Sequence, residues 1–122
     1  MASVSIIEYK GTKILLMDFS NSSDKEQVFR TIGDIKSLAA TLPPTQSMRG
    51  LVDITGSTYD ADIIKGLKEM ALHNKPYMKI TAVVGVDGIK EILFKAILMF
   101  SGRKNLVPVK TREEALEWLI TQ

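Results

Sequence analysis

The sequence predicts an α/β domain: an N-terminal β-hairpin, then βα repeats that build a mostly parallel five-stranded sheet with four helices. Three observations carry this expectation. Tyr77 to Thr111 reads as strand, glycine turn, apolar helix, glycine stop, strand and helix cap, which is one βα repeat. The same alternation with short links recurs upstream and gives the order ββαβαβαβα, for which right-handed crossovers are the rule. Ahead of it, two apolar runs are separated only by Lys10-Gly11-Thr12, a hairpin signal, so the first strand is expected to add antiparallel at one edge.

Each element has its own local reason. Val4 to Tyr9 and Lys13 to Phe19 are the hairpin strands. Ser22 or Ser23 caps a helix to about Thr41, with Ser23 and Glu26 at capping-box spacing. Val28, Ile32, Ile35 and Ala39 recur on one face of it, and Pro43-Pro44 ends it. Met48 to Ile54 is the third strand, Gly56-Ser57-Thr58 a loop, and Asp60 to Asn74 the second helix, with Ile63, Leu67, Met70 and Ala71 inward. In the fourth strand, Met78 to Val84, apolar residues alternate with Lys79 and Thr81, so one sheet face is expected to be less deeply buried. Gly85 and Gly88 bracket the turn into a third helix, Ile89 to Phe100, and Gly102 stops it. Leu106 to Val109 is a short strand that Pro108 assigns to an edge. Thr111 and Glu114 cap the last helix, whose inward residues are Ala115, Trp118 and Leu119.

At 122 residues, with no linker or low-complexity stretch, the chain is expected to be one domain, residues 1–122. Sixteen basic and fourteen acidic residues leave a net charge of +2, and the basic residues are scattered, so no nucleic-acid partner is expected. The absence of cysteine excludes disulfides and thiolate metal sites. Nothing at the N-terminus resembles a signal peptide, and the longest apolar run, near Ile92, is broken by Lys95, so no membrane span is expected and the reading is a cytoplasmic protein.

Several stretches carry a family resemblance: Lys13-Ile14-Leu15-Leu16-Met17-Asp18, Leu51-Val52-Asp53-Ile54-Thr55, Ala82-Val83-Val84-Gly85-Val86-Asp87-Gly88, Phe100-Ser101-Gly102-Arg103 and Thr111 through Leu119. In this order they resemble the SpoIIAA-like branch of the STAS superfamily, small domains related to anti-sigma factor antagonists. The resemblance implies a small βα superhelix, shared with the CRAL-TRIO lipid-carrier domain. In anti-sigma antagonists an acidic residue ends a central strand and a phosphorylatable serine follows two positions later at a helix start. Asp53 and Thr55 stand at that spacing. The chain departs from the pattern in having Ile54-Thr55-Gly56 and a longer loop before Asp60.

Open α/β sheets bind ligands beyond the carboxyl ends of their strands, where Asp18, Asp53, Thr55 and Asp87 all fall. These four are the candidate partner-recognition residues, with Thr55 the phosphorylation candidate. The competing reading is plain helix capping, for which Asp and Thr are the preferred types. Magnesium-dependent phosphoryl transfer would want a paired acidic cluster and a Lys-Pro at the last strand, where this chain has Val109-Lys110-Thr111. Gly85-Val86-Asp87-Gly88 is not a phosphate-loop pattern. Ser101-Gly102-Arg103-Lys104 is a helix-end turn whose cations either offset the helix dipole or hold a phosphate or carboxylate. His73, the sole histidine, cannot make a metal site alone. No catalytic residues, metal or cofactor are expected, because no nucleophile–base pair, metal cluster or cofactor loop is present.

The third helix is more unusual. Ile89, Leu93, Ala96, Ile97 and Phe100 form an inward stripe by spacing, yet Phe94, Leu98 and Met99 are apolar as well and are expected on another side. That second surface is covered by a partner such as a second copy, lines a cavity for an apolar ligand, or packs under another helix of the domain. The sequence therefore points to a non-enzymatic regulatory or protein-interaction module with an unidentified protein partner, pairing with itself through the third helix. The alternative is a carrier or sensor of a small apolar ligand such as a lipid.

Overall fold

The computed structural model describes residues 2–88 and 90–122. Its elements are β1 (Ser3–Tyr9), β2 (Thr12–Asp18), α1 (Lys25–Ala39), β3 (Met48–Asp53), α2 (Ala61–Asn74), β4 (Met78–Val84), α3 (Lys90–Ser101), β5 (Leu106–Val109) and α4 (Arg112–Leu119). The expected order and number of strands and helices are those found. The strands lie side by side in chain order, with β1 antiparallel to β2 and every later pair parallel. Lys10 and Gly11 both have positive φ, which suits a two-residue hairpin to the right-handed twist of its strands. β5, with Pro108, is the far edge.

Sequential strand order explains the layering. The three parallel crossovers all step in one direction, so a common hand puts α1, α2 and α3 on one face. There Val28, Ile32 and Ile35 of α1 and Ile63, Leu67 and Met70 of α2 pack on Leu15, Met17, Met78 and Val83 of the sheet. α4 follows the edge strand β5 and folds back over the opposite face. It seats Ala115 and Leu119 on Ile14, Leu51, Ala82 and Val84, with Trp118 beside them. Arg49, at the start of β3, donates from Nε to the Leu119 carbonyl at 3.0 Å and from Nη2 to that of Gln122, tying down the carboxyl end of α4.

Three expectations need correction. Both faces of the central sheet are deeply buried: Lys79 is exposed, but Thr81 and Val83 lie beneath α1–α3 while Ala82 and Val84 lie beneath α4. The cap of α1 is Asp24, whose Oδ1 accepts from the Gln27 amide at 3.3 Å, and not Ser22 or Ser23; in a run of three good capping residues the geometry takes the last. In α3, Phe94 packs with Ile97 against the main core and Leu93 is buried, whereas Phe100 is 50% exposed. The inward stripe is therefore Leu93, Phe94, Ile97 and Ser101, rotated from the one expected; Ile89 lies outside the described residues.

Leu119 is fully buried and holds α4 to the sheet. Leu119→Ala is expected to cost about 2–5 kcal/mol in urea unfolding with an unchanged denaturant slope. A loss under about 0.5 kcal/mol would mean that α4 is not packed as described.

Candidate functional site

The carboxyl ends of β2 and β3 are built around charge. Parallel register sets Asp18 directly beside Asp53, two like charges that would repel. The first residue of α4 resolves this. Arg112 donates from Nη2 to Asp53 Oδ2 at 2.8 Å and from Nε to the same oxygen at 3.1 Å, and its Nη2 lies 3.2 Å from Asp18 Oδ2. Burial alone would raise the Asp18 carboxyl. Hydrogen bonds from the Ser20 hydroxyl and amide, at 2.6 and 2.9 Å, and the Arg112 guanidinium together bring it below the ordinary carboxylate range. The pair of acids thus meets an arginine where a metal reading would want a cation, and among the described residues no group of three potential ligands gathers.

Asp53 has a second task. Its Oδ1 accepts the Thr55 amide at 3.0 Å, fixing the turn that follows the strand. The ladders also run on past the strand ends. Phe19 donates to the Asp53 carbonyl at 2.8 Å, Asn21 to that of Thr55 at 2.7 Å, and Ile54 to that of Val84 at 2.9 Å. Gly85 closes the other side with φ +94°, where a Cβ would come within 2.6 Å of the Thr55 nitrogen. Lys90 donates from Nζ to the Ile54 carbonyl at 3.0 Å. Thr55 is nonetheless exposed, on a backbone held from both sides. α2 does not start until Ala61, capped by Asp60, so Thr55 sits in the loop and not at a helix start.

That loop goes on to form a groove. Ser57, Thr58 and Tyr59 on one side and Lys90, Ile92 and Ala96 of α3 on the other enclose about 470 Å³, mostly apolar. Ser57 Oγ lies 2.5 Å from the Ile54 carbonyl oxygen and 2.6 Å from the Tyr59 hydroxyl. Serine has one proton to give, and the carbonyl can only accept it, so Tyr59 is the donor to Ser57. Burial pushes the Tyr59 phenol up to about 12, which keeps it in that role. From the groove outward, Ile92, Ala96, Met99 and Phe100 follow helical spacing along the outer side of α3, with Ile92 70% and Met99 85% exposed.

The four carboxyl-end residues read from the sequence part company here. Asp18 and Asp53 share Arg112, Thr55 hangs on Asp53, and Asp87 stands exposed in the turn before α3. Of the apolar three, Met99 faces solvent, Leu98 is half-buried and Phe94 borders the core. Phe94 also lines an internal apolar cavity of about 60 Å³, well below the roughly 300–1,000 Å³ of drug-sized ligand sites. Sequence reasoning missed Arg112, since nothing local marks an arginine at a helix start as the partner of strand-end aspartates. His73 is half-buried and meets Asn74 Oδ1 at 2.9 Å.

Arg112→Gln leaves the buried Asp53 without its countercharge. It is expected to destabilise by about 1–3 kcal/mol, short of a fully buried pair because the Arg112 side chain is 35% exposed. Because the folded Asp18 carboxyl lies below its unfolded value, its contribution is complete above the unfolded value near pH ~3.9 and disappears as pH falls through the folded one. Urea midpoints from pH 6 down to pH 2 should fall less steeply at the acid end in Arg112→Gln than in the wild type. Parallel acid limbs would contradict the arrangement.

No family model matches the chain, and no curated protein matches it. Solved structures do. An uncharacterised protein of the DUF3478 family from Shewanella loihica PV-4, described as having a SpoIIAA-like fold, superposes with a TM-score of 0.73 at 16% identity over 98% of this chain and 95% of that one. An anti-sigma-factor antagonist (STAS) domain protein from Planctomyces limnophilus superposes with a TM-score of 0.62 at 13% identity, over 98% and 99%. At such identities it is the fold that is shared: the chain has the SpoIIAA-like STAS fold that the sequence motifs suggested.

Proposed function

We propose that this protein is a non-enzymatic regulatory module of the cytoplasm that binds a protein partner at the carboxyl end of its sheet and is switched at Thr55. One observation supports this above others: an exposed threonine whose loop continues directly into one wall of an open, mostly apolar groove. Thr55 is anchored through Asp53, so a phosphate on its hydroxyl would act on a fixed backbone and not on a free loop. It would add close to two negative charges beside the Asp18–Asp53 pair and would compete for Arg112 and Lys90. The exposed Asp87 belongs to the same face, and the likeness to an anti-sigma-factor antagonist domain agrees with the reading. Among the described residues no helix is long and apolar enough to cross a membrane. For the lipid-carrier alternative the cavity of about 60 Å³ is too small, so that reading would have to use the open, mostly apolar groove of about 470 Å³.

The same reading includes pairing of two copies through α3, now on the stripe of Ile92, Met99 and Phe100 and not on Phe94 and Leu98. Twofold contacts are the commonest oligomer geometry, and the stripe runs into the groove through Ile92 and Ala96.

Two measurements test these statements. Mass spectrometry of the protein from its native cells should find Thr55 phosphorylated under some growth condition, with Thr41 and Thr111 as internal comparisons. Unmodified Thr55 under every condition would overturn the switch. In sedimentation, the wild type should self-associate and Met99→Glu should be a folded monomer, because Met99 is 85% exposed and its replacement leaves the core intact. A monomeric wild type at high concentration would remove the pairing. Phe94→Glu, by contrast, is expected to destabilise the fold itself, because Phe94 packs on the core.

A further inference from the structure

We propose that the opposite end of the sheet carries a second site, a cationic groove formed by Lys75, Lys79, Arg103 and Lys104 that binds the phosphate group of a small anion. The carboxyl ends of α2 and α3 meet there, above the starts of β4 and β5. Together with Gln46 and Asn105, the four cations line a groove of about 430 Å³, and no acidic residue contributes to its wall. The four come from two segments separated by most of β4 and all of α3, which is why the sequence shows only scattered basic residues. None of them forms a salt bridge among the described residues.

Arg103 gives the groove its specificity. It is only 6% exposed, and a buried guanidinium ordinarily has a carboxylate opposite. Here its Nε donates to Asn105 Oδ1 at 2.9 Å and its Nη2 to Thr81 Oγ1 at 3.0 Å. Both partners are neutral. They orient the fork without neutralising it and engage two of its five N–H donors. Asn105 is itself fixed, its Nδ2 donating to the carbonyls of Met78 and Lys79 at 3.0 and 3.1 Å. Burial pulls Arg103 down to about 10, so it stays charged at neutral pH.

Helix dipoles account for part of this charge. Each helix end carries about half a negative charge, and a Cβ on Gly102, just past α3, would sit 3.3 Å from Lys75 Nζ. Two such ends offset roughly one of the four cations, leaving a local excess in a chain whose net charge is only +2. A planar guanidinium held on neutral partners, with flexible ammonium groups around it, suits the oxygens of a doubly charged phosphate group. The lining side chains are cationic or amide, and the 60 Å³ cavity that shares Arg103 is too small for an acyl chain, so the ligand's recognised part is the phosphate itself. It can come from a free phosphorylated small molecule or from a lipid headgroup.

The test is titration of the labelled protein with inorganic pyrophosphate, followed through its backbone amide resonances, with phosphatidic acid vesicles in a parallel sedimentation arm. Saturable shifts are expected at residues 75, 79 and 102–105, and Lys79→Gln with Lys104→Gln should weaken binding by at least about tenfold. Both lysines are exposed, so that variant keeps its fold. Saturation by pyrophosphate without vesicle binding assigns a free anion. Lysine-dependent binding to phosphatidic acid vesicles, and not to phosphatidylcholine ones, assigns a headgroup. No saturable response to either, or binding that the double variant leaves unchanged, overturns the site.

Discussion

Arg112 is the constraint on which the carboxyl end of this fold depends. Parallel pairing of β2 and β3 forces Asp18 and Asp53 into adjacent positions, and repulsion between them has to be answered from outside the sheet. The answer comes from the first turn of α4, on the opposite face from the other three helices. A cation at a helix start is itself poorly placed against the dipole, so each group alone is unfavourable and the three together are stable. This one contact therefore seats α4, holds two strand ends in register and leaves Asp53 Oδ1 free to fix the Thr55 turn. Arg49 does the corresponding work at the other end of α4, on its last carbonyls.

The two ends of the sheet differ in character. At the carboxyl end, Asp18, Asp53 and Arg112 pair among themselves, and what is left outward is the Thr55 hydroxyl, Asp87, the Lys90 ammonium and a mostly apolar groove. Such a surface suits a protein partner, whose contact would bury the apolar part and whose discrimination would rest on few polar groups. At the amino end, cations converge without carboxylates, beside two amide side chains. Arg103 and Arg112 show the contrast: the first is buried against neutral partners, the second is partly exposed between two acids.

Most of the fold was legible in the sequence because its signals are local. Apolar period, glycine and proline stops, and the Thr111 cap each act within a few residues, and the observed strands follow them closely. The face of α3 was not legible. Eight of its twelve residues are apolar, so several stripes satisfy helical spacing equally, and only contact with α2 and the core selects Leu93, Phe94, Ile97 and Ser101. At the candidate site, Asp18, Asp53 and Thr55 could be singled out as strand-end residues because strand ends are marked by position in the chain. Arg112 could not, because it lies far along the chain from both acids; of the cationic groove, Arg103 and Lys104 stood out as a turn able to hold a phosphate, but Lys75 and Lys79 are brought to them only by the fold.

Amide hydrogen exchange at Thr55 tests the central claim, that Arg112 holds Asp53 so that Asp53 can hold the turn. In the wild type the Thr55 amide should be protected despite its exposed side chain. In Arg112→Gln its exchange should rise by at least about tenfold, while central strand amides such as that of Leu51 keep their protection relative to global unfolding. Unchanged Thr55 exchange in that variant would contradict the account.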